Sequence, residues 1–192
     1  AAGRLRVSVR PSRSAAPGQL EVTVVATRLP VVRPPVRLRR LTVAGGVGAH
    51  KWCDRALLDA LSEASAPEQP LLCDLDGRLL EAARANLFVV DPDGSLVTPP
   101  LDGRILPGVT RARVMAIARR LGLEVRAEPV SHRRLRRARE VFVTGALGGV
   151  EAVESCDGTP FATGRETGAR IGRELRAAPG RAQVASGSER LS

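Results

Sequence analysis

Thr98-Pro99-Pro100-Leu101-Asp102-Gly103-Arg104-Ile105-Leu106-Pro107-Gly108-Val109-Thr110-Arg111 is the stretch whose reading decides the fold. Pro107 and Gly108 stand just ahead of the clearest helical pattern in the chain. In that pattern Val114, Ile117, Ala118 and Leu121 recur at i, i+3, i+4 and i+7, and Gly122 marks a stop. The first backbone N–H groups of such a helix, near Val109 and Thr110, have no intrahelical partner. Together with the positive end of the helix dipole they form a natural seat for an anion. Thr110 adds a hydroxyl able to cap the helix or bind a phosphate. A plain helix cap after a proline turn accounts for the same residues.

Upstream of this helix the pattern predicts short strands over residues 70–75, 87–90 and 96–98. Asp76-Gly77 and Asp91-Pro92-Asp93-Gly94 supply the turns between them. Residues 52–65, with Leu57, Leu58 and Leu61, read as a helix. Residues 36–43 read as a strand and 44–48 as a glycine-rich bend. Prolines across residues 30–35 indicate an extended linker, and residues 4–10 and 20–27 alternate as the two arms of a hairpin.

Downstream, residues 123–127 and 141–144 read as strands. The basic run His132-Arg133-Arg134-Leu135-Arg136-Arg137 between them reads as a solvated helical turn or two, with Leu135 and Ala138 inward. Weaker strands follow at 151–153 and 159–161, then a helix over 165–176 and a Gly/Ser/Arg/Ala tail. Mixed strands and helices with short connections predict an α+β fold, not a doubly wound sheet.

Composition excludes several functions. The net charge of +10 comes almost wholly from dispersed arginine, aromatic residues make up 2% and tyrosine is absent. The stacking platforms of single-strand binders are therefore missing, and no nucleic-acid partner is expected. No apolar run is long enough to span a bilayer, and residues 1–6 lack a signal-peptide layout, so no membrane association and a cytoplasmic location are expected. Cys53, Cys73 and Cys156 form no metal-binding spacing with His50 or His132. No metal is expected, and the cysteines read as small core residues in a reducing compartment.

Lys51 is the only lysine among 192 residues. A chain that uses arginine everywhere else has reason to keep lysine where an amine must lose its proton, since arginine does not. Glu81 lies between two strand runs, where an exposed loop glutamate is the plain reading. Val141-Phe142-Val143-Thr144-Gly145-Ala146-Leu147-Gly148-Gly149-Val150 is a strand ending in small residues that let backbone approach a ligand, or simply a glycine turn.

Taken in order, Lys51, Glu81 with Asn86-Leu87-Phe88, Thr98-Pro99-Pro100, residues 106–111 and Glu140-Val141-Phe142-Val143-Thr144 resemble the motifs of class IV aminotransferase-like enzymes. That family includes branched-chain aminotransferases, D-amino-acid transaminases and aminodeoxychorismate lyases. The resemblance implies the C-terminal domain of the D-amino-acid aminotransferase-like fold, a mixed sheet or pseudo-barrel with flanking helices, and pyridoxal 5'-phosphate as cofactor. It implies that Lys51 carries the cofactor and that Glu81 partners the pyridine nitrogen. It further implies that Leu106 packs on the ring, that Val109 and Thr110 bind the phosphate, and that Ala146 lies where many transaminases place a threonine against the phosphate.

Lys51-Trp52-Cys53-Asp54-Arg55 looks more like the lysine-x-x-Asn/Asp-Arg pattern of the lyases. Ala56 stands where branched-chain transaminases carry a tyrosine, and Thr144–Val150 also resembles the lyase version of its segment. Release of pyruvate and 4-aminobenzoate from 4-amino-4-deoxychorismate is then the implied activity, with transamination or a non-catalytic remnant as alternatives. Arg55 and Arg6 are the implied substrate contacts. The family layout implies residues 1–35 as the end of an N-terminal domain plus linker, 36–176 as the cofactor domain and 177–192 as a tail. It also implies a small-molecule substrate and a homodimer, or part of a larger fused polypeptide.

Overall fold

The computed structural model describes residues 3–11, 19–28, 36–52, 54–161 and 166–177. Its contacts divide the chain into two units, Ala1–Pro34 and Pro35–Ser192. The first unit is an antiparallel ribbon of β1 (Gly3–Pro11) and β2 (Leu20–Arg28). Leu5 stands opposite Ala26, Val7 opposite Val24 and Val9 opposite Val22. Opposed residues share a face, so these side chains form one apolar stripe, and within this ribbon its leucine and valines are exposed.

The second unit holds β3 (Val36–Thr42), β4 (Gln69–Cys73), β5 (Arg78–Ala82), β6 (Ala85–Val90), β7 (Leu96–Thr98), β8 (Val125–Ala127), β9 (Val130–Ser131), β10 (Glu140–Gly145), β11 (Gly149–Cys156) and β12 (Thr159–Pro160). The helices are α1 (Ala56–Ser65), α2 (Val109–Arg120), α3 (His132–Arg137) and α4 (Glu166–Ala177). Strand order is β8-β7-β6-β10-β11-β3-β4-β5-β9, with β12 on β11 and a further pairing of β6 with β5. That pairing closes β6, β10, β11, β3, β4 and β5 into a ring. β3 runs parallel to both β11 and β4, while the other ring pairs are antiparallel. The fold is the mixed α+β pseudo-barrel expected from the sequence. Among the described residues, no helix is long and apolar enough to cross a membrane.

Both faces of the ring strands are covered. Val36, Leu38, Leu71, Leu79, Leu87, Val89, Val141, Val143 and Val153 form one cluster. The alternate residues Phe88, Val90 and Phe142 pack with Val114, Ile117 and Ala118 of α2 and Ile171 of α4. Phe88 and Phe142 oppose each other across β6 and β10 and stack with ring centroids 5.2 Å apart. Double burial explains why Leu87-Phe88-Val89-Val90 is an unbroken apolar run.

Three expectations need correction. Residues 78–82 form a strand, so Glu81 lies within an element and not in a loop. The turn at Ala83-Arg84 carries no glycine or proline to announce it. The helix expected from residue 52 begins at Ala56, where Asp54 Oδ1 accepts from the Ala56 N–H at 2.8 Å, and Trp52 Nε1 is drawn back to the Val47 carbonyl at 3.0 Å. Thr110 does not cap α2; the cap position is Gly108, and no side chain bonds to that end. The linker at residues 30–35 and the tail beyond residue 177 lie outside the described residues.

Candidate active site

The seam that closes the ring is also where its polar residues gather. Glu81 pairs with Asn86 across β5 and β6, and Asn86 pairs with Thr144 across β6 and β10. Residues opposed in these antiparallel ladders share a face, so Glu81, Asn86 and Thr144 form one row. Asn86 Nδ2 donates to Glu81 Oε2 at 3.0 Å and to the Leu106 carbonyl at 2.9 Å, and the Leu106 N–H donates to Glu81 Oε1 at 3.0 Å. The Thr144 hydroxyl, in a residue 1% exposed, has no hydrogen-bond partner among the described residues.

Glu81 is 5% exposed. Burial pushes its carboxyl up to about 7, against the opposing pull of the Leu106 N–H and the Arg111 charge. A carboxyl poised there changes protonation state around neutral pH, so it can hold a proton for a neighbouring base or accept a hydrogen bond from a protonated one.

The start of α2 is pressed against this row. The Gly108 N–H bonds to the Leu106 carbonyl at 2.8 Å, and a Cβ on Gly108 would come 2.1 Å from Asn86 Oδ1. Only glycine lets the helix begin this close to Asn86. Val109 is 78% exposed and Thr110 half-buried in the first turn, which leaves an uncapped helix end open to an anion. One residue further on, Arg111 is 4% exposed. It donates from Nε to Thr98 Oγ1 at 3.3 Å and from Nη2 to the Pro99 carbonyl at 2.9 Å, while Thr98 Oγ1 donates to the Leu87 carbonyl at 2.8 Å.

Lys51 sits in the connection between β3 and α1. That connection is tied down on both sides of Glu81's strand. The Gly45 N–H bonds to Asp74 Oδ1 at 3.0 Å, and Arg104 binds Asp74 at 2.7 Å and Asp102 at 2.5 Å. Gly46, at φ +66°, lies so close to the Arg104 carbonyl that a Cβ would meet it at 2.3 Å. On the other side Arg55 Nη2 donates to the Ala83 carbonyl at 3.2 Å. Lys51 itself is exposed, and no group among the described residues bonds to its amine.

Residues 3–156 match the family model of class IV amino-transferases. This chain belongs to the class IV aminotransferase family. The branched-chain-amino-acid aminotransferase of Escherichia coli K12 is 39% identical over 98 residues, covering 51% of this chain and 31% of that protein. The chain thus spans about a third of that relative's length. Among solved structures, a hypothetical aminotransferase from Mycobacterium tuberculosis superposes with a TM-score of 0.80 at 19% identity, over 90% of this chain and 68% of the other. The same protein has been solved with pyridoxal phosphate bound. A Legionella pneumophila protein described as a candidate 4-amino-4-deoxychorismate lyase gives 0.75 at 22% identity, over 82% of this chain and 61% of the other. At these identities the structural likeness speaks for the fold.

Of the residues that the class IV motifs single out, the fold brings Glu81, Leu106 and the Val109-Thr110 turn together. Lys51 is exposed on the loop that Gly45 ties to Asp74 and Arg55 ties to the Ala83 carbonyl, and among the described residues it bonds to none of these groups. Ala146 is exposed in the turn after β10, and Arg55 is engaged with the β5–β6 turn. Arg6 belongs to β1, in the separate first unit. Asn86, Thr98, Gly108 and Thr144 were not singled out as site residues. The signal for Asn86 was a polar side chain at the head of an otherwise apolar, doubly buried strand.

Proposed function

We propose that this chain holds pyridoxal phosphate and belongs to a 4-amino-4-deoxychorismate lyase, which releases pyruvate and leaves 4-aminobenzoate. The observation that carries the cofactor reading is the buried Glu81, bonded by Asn86 and Leu106 and set beside an uncapped helix start. The residues present fit that cofactor on two counts. Glu81 is a carboxyl poised near neutrality for a ring nitrogen, and the first turn of α2 is an open anion seat for a phosphate ester.

In this reading the Val109 and Thr110 N–H groups hold the phosphate, Leu106 packs on the ring and Lys51 carries the cofactor. The bound cofactor supplies an electron sink at the carbon that bears the substrate amine. Glu81 keeps the ring nitrogen protonated. The amine of Lys51, once free, takes the proton from the substrate carbon as general base. As the substrate ring aromatises, the C–O bond to the enolpyruvyl group would break, and the departing enol would take up the proton held by the Lys51 amine to leave as pyruvate. Arg55, which donates to the Ala83 carbonyl, is the cation this unit offers to a substrate carboxylate. Residues 36–176 form the cofactor domain, in a homodimer or a longer fused polypeptide.

The lyase assignment rests on Lys51-x-x-Asp54-Arg55 and on Ala56 in place of a tyrosine. A second reading, transamination, is favoured by the name of the 39%-identical relative. Borohydride reduction of the chain mixed with pyridoxal phosphate should fix the cofactor to Lys51, and absence of that adduct sinks both readings. Pyruvate release without a keto-acid acceptor identifies the lyase, whereas dependence on 2-oxoglutarate identifies the transaminase.

A further inference from the structure

The connection that carries Lys51 is tied at both ends and sparsely in between. Upstream, the Gly45 N–H bonds to Asp74 and Gly46 is pressed on the Arg104 carbonyl. Downstream, Asp54 accepts from the Ala56 N–H and Arg55 donates to the Ala83 carbonyl. Among the described residues, one hydrogen bond spans the stretch 47–52: Trp52 Nε1 donates to the Val47 carbonyl at 3.0 Å. His50 meets the same indole edge-on, with ring centroids 6.1 Å apart and planes at 77°. The bond closes residues 47–52 into a loop that contains Lys51, and His50 braces the ring that closes it.

The acceptor end of this tie is anchored in the scaffold. Val47 packs against the buried cluster of Leu72, Leu80 and Ile105. Leu80 and Ile105 directly precede Glu81 and Leu106, which bond to each other at 3.0 Å. The carbonyl that receives Trp52 therefore belongs to a residue resting on the framework that holds the Glu81 carboxyl.

Trp52 itself is 61% exposed. An indole left largely in water adds little to a core, so packing does not account for it. Fixing the loop does. A free loop spreads its side chains over many positions, and a reactive amine gains when that freedom is removed in advance.

We propose that Trp52 is a positioning residue: its N–H, bonded to Val47 and braced by His50, fixes the backbone of Lys51 relative to Glu81. That the Lys51 amine carries pyridoxal phosphate rests on the function proposed above. The clamp on the backbone does not.

Trp52→Phe removes the N–H and keeps a ring. In the cofactor-free chain, backbone nitrogen relaxation reads the order parameter of the Lys51 amide, which should fall from about 0.85, typical of rigid backbone, to about 0.6 or below. The Gly45 amide, tied separately to Asp74, should keep its value. Pyridoxal phosphate should bind the variant about fivefold more weakly, the effect of one lost hydrogen bond. Reductive methylation of Lys51 by formaldehyde, which needs no fixed geometry, should run at the wild-type rate.

An unchanged order parameter at Lys51 overturns the proposal, as does an equal fall at Gly45 or a Lys51 amide already mobile in the wild type. Unchanged cofactor affinity in a variant whose Lys51 has loosened overturns the positioning role. So does a methylation rate that falls in step with that affinity, because the amine itself has then lost reactivity. A variant that fails to fold assigns Trp52 to stability and overturns the proposal as well. If borohydride traps no cofactor on wild-type Lys51, the cofactor reading fails, and the order parameters alone judge the clamp.

Discussion

Asn86 Oδ1 lies 2.1 Å from the point a Cβ on Gly108 would occupy, so the start of α2 and the β5–β6 seam are packed to backbone contact. The Gly108 backbone, at φ −65° and ψ 131°, is open to any L-residue. The demand for glycine is thus one of space. Gly108→Ala should push Asn86 away and break its bonds to Glu81 and to the Leu106 carbonyl. A loss of roughly 1–3 kcal/mol in stability is expected from the disturbed buried polar groups. Urea unfolding measures it, and a parallel weakening of pyridoxal phosphate binding should follow.

Glu81 makes folding depend on pH in a definite direction. Its carboxyl rises from the ordinary 4.5 to about 7 in the folded chain, with burial the largest cause. Between those values the folded state binds more protons than the unfolded one. Stability is therefore highest below the unfolded value and declines as pH climbs through the folded one. The full swing is at most roughly 3 kcal/mol. Glu81→Gln should flatten the profile across that window, as read from denaturation midpoints of the cofactor-free chain. The same substitution should weaken any activity that needs a protonated ring nitrogen.

Arg104 and Asp74 tether the loop that leads to Lys51. The Gly45 N–H, Arg104 and the Leu75 N–H together hold the Asp74 carboxyl down to about 2. Asp74→Asn and Arg104→Leu should each loosen the 43–48 turn without unfolding the ring, whose core lies elsewhere. Hydrogen exchange at the Gly45 amide should speed up about tenfold or more, as expected of a local opening. Unchanged exchange at Gly45 would show that the turn is held by other contacts.

The stacked pair Phe88 and Phe142 carries α2 on the outer face of the ring. Phe142→Ala should cost about 3–5 kcal/mol, since both rings are fully buried. Thermal unfolding reads the loss. Phe142→Leu should recover most of it.

Much of this architecture was legible in the chain. α2 announced itself because one of its faces is buried and the other wet, which writes Val114, Ile117 and Ala118 at helical spacing. The hairpin of β1 and β2 was readable from strict alternation, as was the basic turn with Leu135 and Ala138 inward. β5 was not. Its residues are covered on both sides of the ring, so no alternation survives, and the turn at Ala83-Arg84 lacks the usual punctuation. The start of α1 was placed too early because nothing in Trp52 to Arg55 forbids a helix; Asp54 and Val47 hold them out of it through bonds that depend on the fold.

The sequence by itself determined the helix after Gly108, the sequence of mixed strands and helices, and the solitary amine at Lys51, because each of these is written in local spacing or residue choice. Only the tertiary structure decided that Glu81 is buried, that Asn86 and Leu106 hold it, and that one arginine out of many, Arg111, is buried on the neutral Thr98 hydroxyl and Pro99 carbonyl. Those properties arise where β5 meets β6 and α2 lands on their seam. Burial and charge compensation are set by groups distant in the chain, and a local pattern cannot encode them.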